Sequence, residues 1–287
     1  MIKTSGKIFK IIRESKNMSL KEVADEDISV AQLSRFERGI SGISVEAFYR
    51  CLKNMLVSID EFQYVYHNYS EPFELAFSNS LLDAYRENNI TKLAMMLDDC
   101  QKLEQGKPNK KYYKLNTIVV KSLLSYCDAE VQVSKEDIDF LTDYLFSIEE
   151  WGRYELWLFT NSVELLTVST LEMFTNEMLN RTQFYNKLPE NRKLILQMLL
   201  NVINVFVEAE QFPIAMKFLN YIENSSIPEI NVYERLLFKY QKAHYSYRIG
   251  NVEALKNMKE CLKIAEFLEC YGIAQKIKNQ IDKVETY

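Results

Sequence analysis

Turn-forming residues are scarce in this sequence. Seven glycines and five prolines in 287 residues are too few for the many tight turns of a β-sandwich or barrel. Pro72, Pro108, Pro189, Pro213 and Pro228 all fall between long periodic runs, where proline punctuates helices. Histidine is scarcer still: only His67 and His244 occur, with no HExxH motif and no cysteine cluster, so a metal site has little to build on. His67 in YVYHNYS reads as a linker residue, and His244 in FKYQKAHYSY as a packed or pocket histidine. Neither GxGxxG nor GxxxxGK[ST] is present, and no nucleophile elbow. The adjacent acids Asp98-Asp99 and Glu149-Glu150 lie at helix ends, where carboxylates face solvent. The pattern points away from an enzyme and calls for no cofactor and no metal.

Other shortages bound the setting. Cys51, Cys100, Cys127, Cys261 and Cys270 are odd in number and never spaced as CxxC, which fits reduced core thiols in a cytoplasmic protein and no disulfide framework. No run approaches the roughly 20 apolar residues that cross a bilayer. The first residues scatter Lys3, Lys7, Lys10 and Arg13 through the apolar ones, so no signal-peptide core forms. We expect a soluble cytoplasmic protein without membrane contact. Hydrophobic residues make up 47% of the chain, enough for a globular core. An all-α protein is the economical reading.

Charge is uneven. Residues 1–66 carry 10 Lys and Arg against 9 Asp and Glu, and the rest 25 against 31. Within residues 1–21, six basic residues face the single acid Glu14, a local basic patch compatible with nucleic-acid binding.

The first 66 residues read as five short helices. Ile8, Phe9, Ile11 and Ile12 give the first its apolar stripe, ending near Ser15–Asn17. Ser19 is placed to cap LKEVAD, Ser29 the third helix and Ser44 the fourth, and Ser58-Ile59-Asp60-Glu61 is a capping box for the fifth. Leu33, Phe36 and Ile40 predict the buried face of the third helix, which Gly39 can end in a left-handed cap. Ala31, Gln32, Ser34, Arg35 and Arg38 then point elsewhere. Ala31 can meet a thymine methyl, Gln32 an adenine edge and Arg35 a guanine. Ser29, Ser34 and Arg38 suit phosphates, as do Lys7, Lys10 and Arg13 of the first helix.

The stretch MSLKEVADEDISVAQLSRFERGISGIS resembles the helix-turn-helix domain of phage-repressor-like (Xre-type) regulators. SRFERG followed by a long helical remainder is most similar to the Rgg/MutR/GadR regulators of low-GC Gram-positive bacteria. In the resembling repressors, a Glu matching Glu37 pairs with an Arg on the first helix, here Arg13. Arg13 thus carries two expectations, phosphate contact and ion pair. Leu20 stands where many such domains carry a Gln that touches or braces the DNA-binding elements.

Beyond Pro72 the chain reads as helix after helix. Turn signals near Asn88-Asn89, Ala129–Ser134, Val168–Thr170, Glu210–Pro213 and Gly250-Asn251 recur at roughly 40 residues, about two helices per unit. The expected architecture is therefore a five-helix helix-turn-helix domain (1–66), a linker (67–72) and a right-handed helix-pair, tetratricopeptide-like solenoid (73–287). In the apolar run LILQMLLNVINVFVEAE, Gln197, Asn201, Asn204 and Glu208 make one polar stripe; Arg153, Trp157, Asn161 and Glu164 make another one unit earlier. Asn161, Asn201 and Gln241 are spaced to line up across units. Side-chain amides grip an extended peptide backbone well, because each offers donor and acceptor. They equally suit buried pairing between repeats. The resemblance implies a short peptide pheromone as ligand and a role in quorum sensing. Arg153, Trp157, Asn161, Gln197, Asn201 and Asn204 are the candidate peptide contacts. Double-stranded DNA, a signalling peptide and a second copy of the chain are the expected partners. The competing reading is a helical-repeat interaction scaffold without sequence-specific DNA binding.

Overall fold

A computed structural model describes residues 5–69, 73–106, 110–128, 130–182 and 188–285. Lys3, Pro72, Pro108, Ala129 and the linker residues 70–72 lie outside them. The chain divides into two compact units, Met1–Leu82 and Asp83–Tyr287, whereas the sequence reading closed its first domain at residue 66. Among the described residues there is no strand, only an isolated bridge between Asp25 and Ile28.

The first unit holds α1 (Ser5–Ser15), α2 (Leu20–Val23), α3 (Val30–Glu37), α4 (Val45–Asn54) and α5 (Ile59–Tyr66), with α6 (Phe73–Arg86) crossing the division. Ser19, Ser29, Ser44 and Ser58 each accept the backbone N–H three residues on, satisfying donors that a helix start leaves open. Such caps matter here because helices this short do not hold themselves together. Ile8, Phe9, Leu33, Phe36, Cys51 and Leu52 centre the core, with Phe9 meeting Phe36 edge-on at 5.6 Å. Leu20 packs onto this core.

Two expected core positions fall outside it. Ile11 is 40% exposed, because Ile8, Phe9 and Ile12 already define the inward arc of α1. Ile40 is 62% exposed, because α3 stops before reaching it. Gly39 takes φ +72; its N–H donates to Phe36 O at 2.8 Å and the Ile40 N–H to Arg35 O at 2.9 Å. That is a Schellman cap. Past it, helical spacing no longer applies.

Two contacts set the pose of α3. The turn before it is pinned from α4: the Arg50 guanidinium pairs with Asp25 and Asp27, and Asn54 Nδ2 donates to Val23 O at 2.9 Å. On the other side, α1 approaches at Gly6. A Cβ there would lie 1.8 Å from the Phe36 carbonyl oxygen, so only glycine fits.

The second unit is built from α7 (Ile90–Gly106), α8 (Lys110–Cys127), α9 (Lys135–Ser147), α10 (Arg153–Thr160), a 3-10 turn (Val163–Leu165), α11 (Val168–Arg181), α12 (Pro189–Glu208), α13 (Phe212–Ser225), α14 (Val232–Arg248), α15 (Ala254–Phe267) and α16 (Tyr271–Glu285). Pro189 and Pro213 open α12 and α13, where a missing N–H does no harm. Val168–Thr170, read as a turn, is the first turn of α11 under a Thr167 cap. Neighbours in sequence pack as pairs, and α8, α10, α12 and α14 pack in succession into one continuous layer. This is a helix-pair solenoid. Trp151 is fully buried against Phe159 and Phe174 and donates its indole N–H to Leu145 O at 3.2 Å. Beside it, Arg181 Nη1 donates to the carbonyls of Phe146 and Ile148, closing the end of α9. The cysteines are free, and burial pushes the Cys51 and Cys100 thiols up to about 11.

Candidate nucleic-acid and peptide sites

The outward side of α3 carries Val30, Ala31, Gln32 and Arg35, all exposed, with Ser34 half-buried and Arg38 exposed at its end. Leu33 and Phe36 anchor the opposite side. Arg38 Nε folds back onto Ser34 O at 3.2 Å. Lys7 and Lys10 are exposed on α1, Lys10 with Glu14 3.7 Å away. An exposed pair of that length contributes little, so Lys10 stays available to a phosphate. Val30 is a residue that the sequence reading passed over. It is 43% exposed at the first position of α3, and its signal was an apolar side chain beside the cap, where bases come closest.

Arg13 does not belong with this group. It is 8% exposed and lies inside a fork: Nε and Nη2 donate to Glu37 Oε1 and Oε2 at 2.6 and 2.8 Å, and Nη1 donates to Met18 O at 2.6 Å. With each of its three nitrogens engaged and the side chain buried, the N–H groups it has left are not presented to a phosphate. Of its two expectations, the ion pair is the one present. Ser29 is likewise committed. Its hydroxyl accepts from the Gln32 N–H at 3.2 Å and donates to Gln32 Oε1 at 3.0 Å, so it caps α3 and has no O–H left to donate to a phosphate.

In the second unit the polar stripe of α12 meets α14. Gln197 Nε2 donates to Glu234 Oε1 at 2.8 Å, and Gln241 Nε2 to Asn204 Oδ1 at 3.4 Å. Glu208 gathers Arg248 at 3.4 Å and Gln280 of α16 at 2.8 Å, with His244 Nε2 3.3 Å away. Arg153 forms an exposed ion pair with Glu190. The two amide rungs join residues 37 apart, where the sequence suggested 40, so Gln241 meets Asn204 and not Asn201. Asn161 is the C-terminal cap of α10, its Nδ2 bonded to Trp157 O at 2.7 Å. Gln197 and Asn204 thus each hold a partner on α14, and Asn161 one within α10. Trp157 stacks on Tyr154 with ring centres 6.0 Å apart. Asn201 alone of the six is exposed with no side-chain hydrogen bond among the described residues.

Another polar cluster joins distant elements. Burial raises the Glu164 carboxyl, and the charge of Lys276 opposes that rise. Burial lowers the Lys276 ammonium, with Arg86 adding to the fall and Glu164 countering it. The end of α6, the 3-10 turn and the middle of α16 thus come within Coulomb range of one another. Sequence spacing gave Glu164 but carried no signal for Lys276, which lies 112 residues after it. Among the described residues no group of His, Cys, Asp and Glu could hold a metal ion, and no helix is long and apolar enough to cross a membrane.

A short capped helix presenting polar groups outward, fixed from both sides and followed by a helix-pair solenoid, defines a helix-turn-helix regulator with a helical-repeat partner domain. Two family profiles agree with it: helix-turn-helix over residues 9–62, and the C-terminal domain of the HTH-type transcriptional regulator Rgg over residues 100–279. The chain belongs to the Rgg family of transcriptional regulators and is not an enzyme. Among solved structures it is similar to the Streptococcus dysgalactiae SHP pheromone receptor Rgg2, with 28% identity, a TM-score of 0.81, and coverage of 97% of this chain and 99% of that one. It shares its fold with PrgX in the PrgX/iCF10 complex at 15% identity and a TM-score of 0.75, covering 99% and 96% of the two chains.

Proposed function

We propose that this regulator binds a near-palindromic promoter site in the cytoplasm as a homodimer and is controlled by a short peptide held on its helical array. The observation that carries the DNA half is the outward face of α3. Val30, Ala31, Gln32 and Arg35 stand exposed on a helix whose pose is fixed by Gly6 and Arg50. Arg35 has the fork to take guanine O6 and N7, Val30 and Ala31 the apolar surface for a thymine methyl, and Lys7, Lys10 and Arg38 the charge for phosphates. Support for the peptide half comes from the likeness to a pheromone receptor over nearly the whole chain. Asn201, exposed on α12 with no side-chain hydrogen bond among the described residues, would grip a peptide main chain, with Trp157 offering apolar surface. Arg153 can trade its exposed partner Glu190 for a peptide carboxylate. Binding would act on DNA through preference for one conformer of the array.

Gel retention on duplexes selected from a random library tests the first half, and a labelled-peptide titration tests the second. Arg35→Ala is expected to cost roughly 1–3 kcal/mol and to relax preference at one base pair. Asn201→Ala should weaken peptide by about 0.5–1.5 kcal/mol per lost hydrogen bond and leave peptide-free DNA binding intact. Retained selectivity in the first variant, or unchanged peptide affinity in the second, would remove that residue from its site.

A further inference from the structure

Gln32 serves the cap of α3 and faces outward at the same time, and the first role limits the second. Its Oε1 lies 2.9 Å from the Ser29 backbone nitrogen and 3.0 Å from Ser29 Oγ. A backbone N–H can only donate, so the atom opposite it must be the amide oxygen. Chemistry fixes the orientation of this side chain. Ser29 Oγ accepts from the Gln32 N–H at 3.2 Å, which leaves its own proton for Oε1. Both acceptor positions of Oε1 are then filled. What points away from the protein is Nε2, with two hydrogens, on an exposed side chain at the third position of α3.

Reading adenine with glutamine takes both ends of the amide: Nε2 donates to N7 while Oε1 accepts from the 6-amino group. The cap leaves that amino group without an acceptor. Freeing Oε1 would in turn strip the Ser29 N–H of its partner. Resting on the DNA-reading role of α3, we propose that Gln32 is a donor-only reader selecting an acceptor edge, guanine O6 and N7 or thymine O4, over adenine. Cytosine, which offers an amino donor in the major groove, is excluded on the same ground. The sister boxes show that capping itself does not need an amide. Glu22 and Glu61 bond the backbone N–H of Ser19 and Ser58 at 2.7 and 2.6 Å with carboxylates. Only at α3 does the box residue bring an outward donor. A phosphate oxygen is an acceptor too, and the test must separate it from a base edge.

The experiment takes the full-length wild type and Gln32→Glu through selection from a randomised duplex library, with thermal melts alongside. The glutamate keeps the box, as in α2 and α5, and removes the donor. Melting temperature is expected to hold, while preference for guanine or thymine at one base pair falls by roughly tenfold relative to the other bases. Where that base is guanine, 7-deazaguanine should weaken the wild type and leave the variant unaffected. Three results overturn the proposal. One is a wild-type preference for adenine that weakens when the 6-amino group is removed. Another is a loss spread evenly over all base pairs, which assigns the donor to a phosphate. The third is unchanged selectivity in the variant. If the wild type selects no sequence at all, the DNA-reading role of α3 fails first and takes this assignment with it.

Discussion

Inside the first unit, Arg13 meets Glu37 and the Met18 carbonyl with every one of its nitrogens, and that geometry decides what its loss would do. Arg13→Ala leaves the Glu37 carboxylate 4% exposed without a counter-charge. Breaking such a pair costs about 3–5 kcal/mol, whereas losing a surface lysine would weaken DNA binding evenly and flatten its salt dependence. Denaturant unfolding of Arg13→Ala beside Lys7→Ala checks this: the first should lose stability, the second only affinity. His244 makes a second prediction. It is fully buried, and burial with the charge of Arg248 lowers it from 6.5 to about 4, although Glu208 lies 3.3 Å away. Its folded value lies below the unfolded one, so the imidazole stays neutral in the fold and charges on unfolding. The stability it contributes is complete above about pH 6.5 and drains away as pH falls toward 4, on the order of 3 kcal/mol. His244→Gln should flatten that stretch of a melting-temperature profile, and an equally steep profile in the variant would place the titration elsewhere. Residue roles were the hardest thing to foresee. Arg13 and Ser29 each carried two expectations, and only their partners show that Arg13 is spent on the ion pair and Ser29 on the cap, which Gln32, read as a base contact, shares.

Helix starts, by contrast, were legible, because a cap is a local event. A serine three residues before Glu or Gln is bonded the same way wherever it occurs, and Ser19, Ser29 and Ser58 all do so. Gly39 was readable for the same reason. Ile40 was misplaced, since periodicity carries no mark of where a helix stops. The 37-residue offset of the two amide rungs was invisible, because it depends on how α12 and α14 settle against each other and not on either sequence alone. Nor did any motif flag Gly6, whose need for a missing side chain comes from a carbonyl 30 positions away. That contact yields a prediction with opposing terms. Gly6→Ala should gain up to about 1 kcal/mol in helix propensity. The added methyl collides with backbone, which cannot swing aside as a flexible side chain can, and overpacking of this kind costs roughly 1–3 kcal/mol. A net fall in melting temperature is expected. A variant as stable as wild type would mean that α1 can slide off α3 at no cost.

For the whole molecule, reading a near-palindrome requires two copies of α3 about 34 Å apart. The first unit is small, so the proposed dimer should depend on the second. Light scattering should find the full chain dimeric without DNA, and residues 1–82 alone monomeric and weakly bound to a selected duplex. A dimeric fragment would move the contact into the first unit. Order of assembly follows from the ladder. Its rungs from α12 to α14 join residues 37 to 40 apart, while the link from Glu208 to Gln280 spans 72. Nearly doubling a loop adds only about 0.6 kcal/mol to its closure, so α16 is not held off by entropy. It is held by having fewer neighbours, since it sits at one end of a stack in which each helix leans on the next. During synthesis it also leaves the ribosome after α12 and α14. A growing chain therefore already has α12 and α14 available to join before Glu208 meets its third helix, and the polar hub is completed only once α16 has followed them.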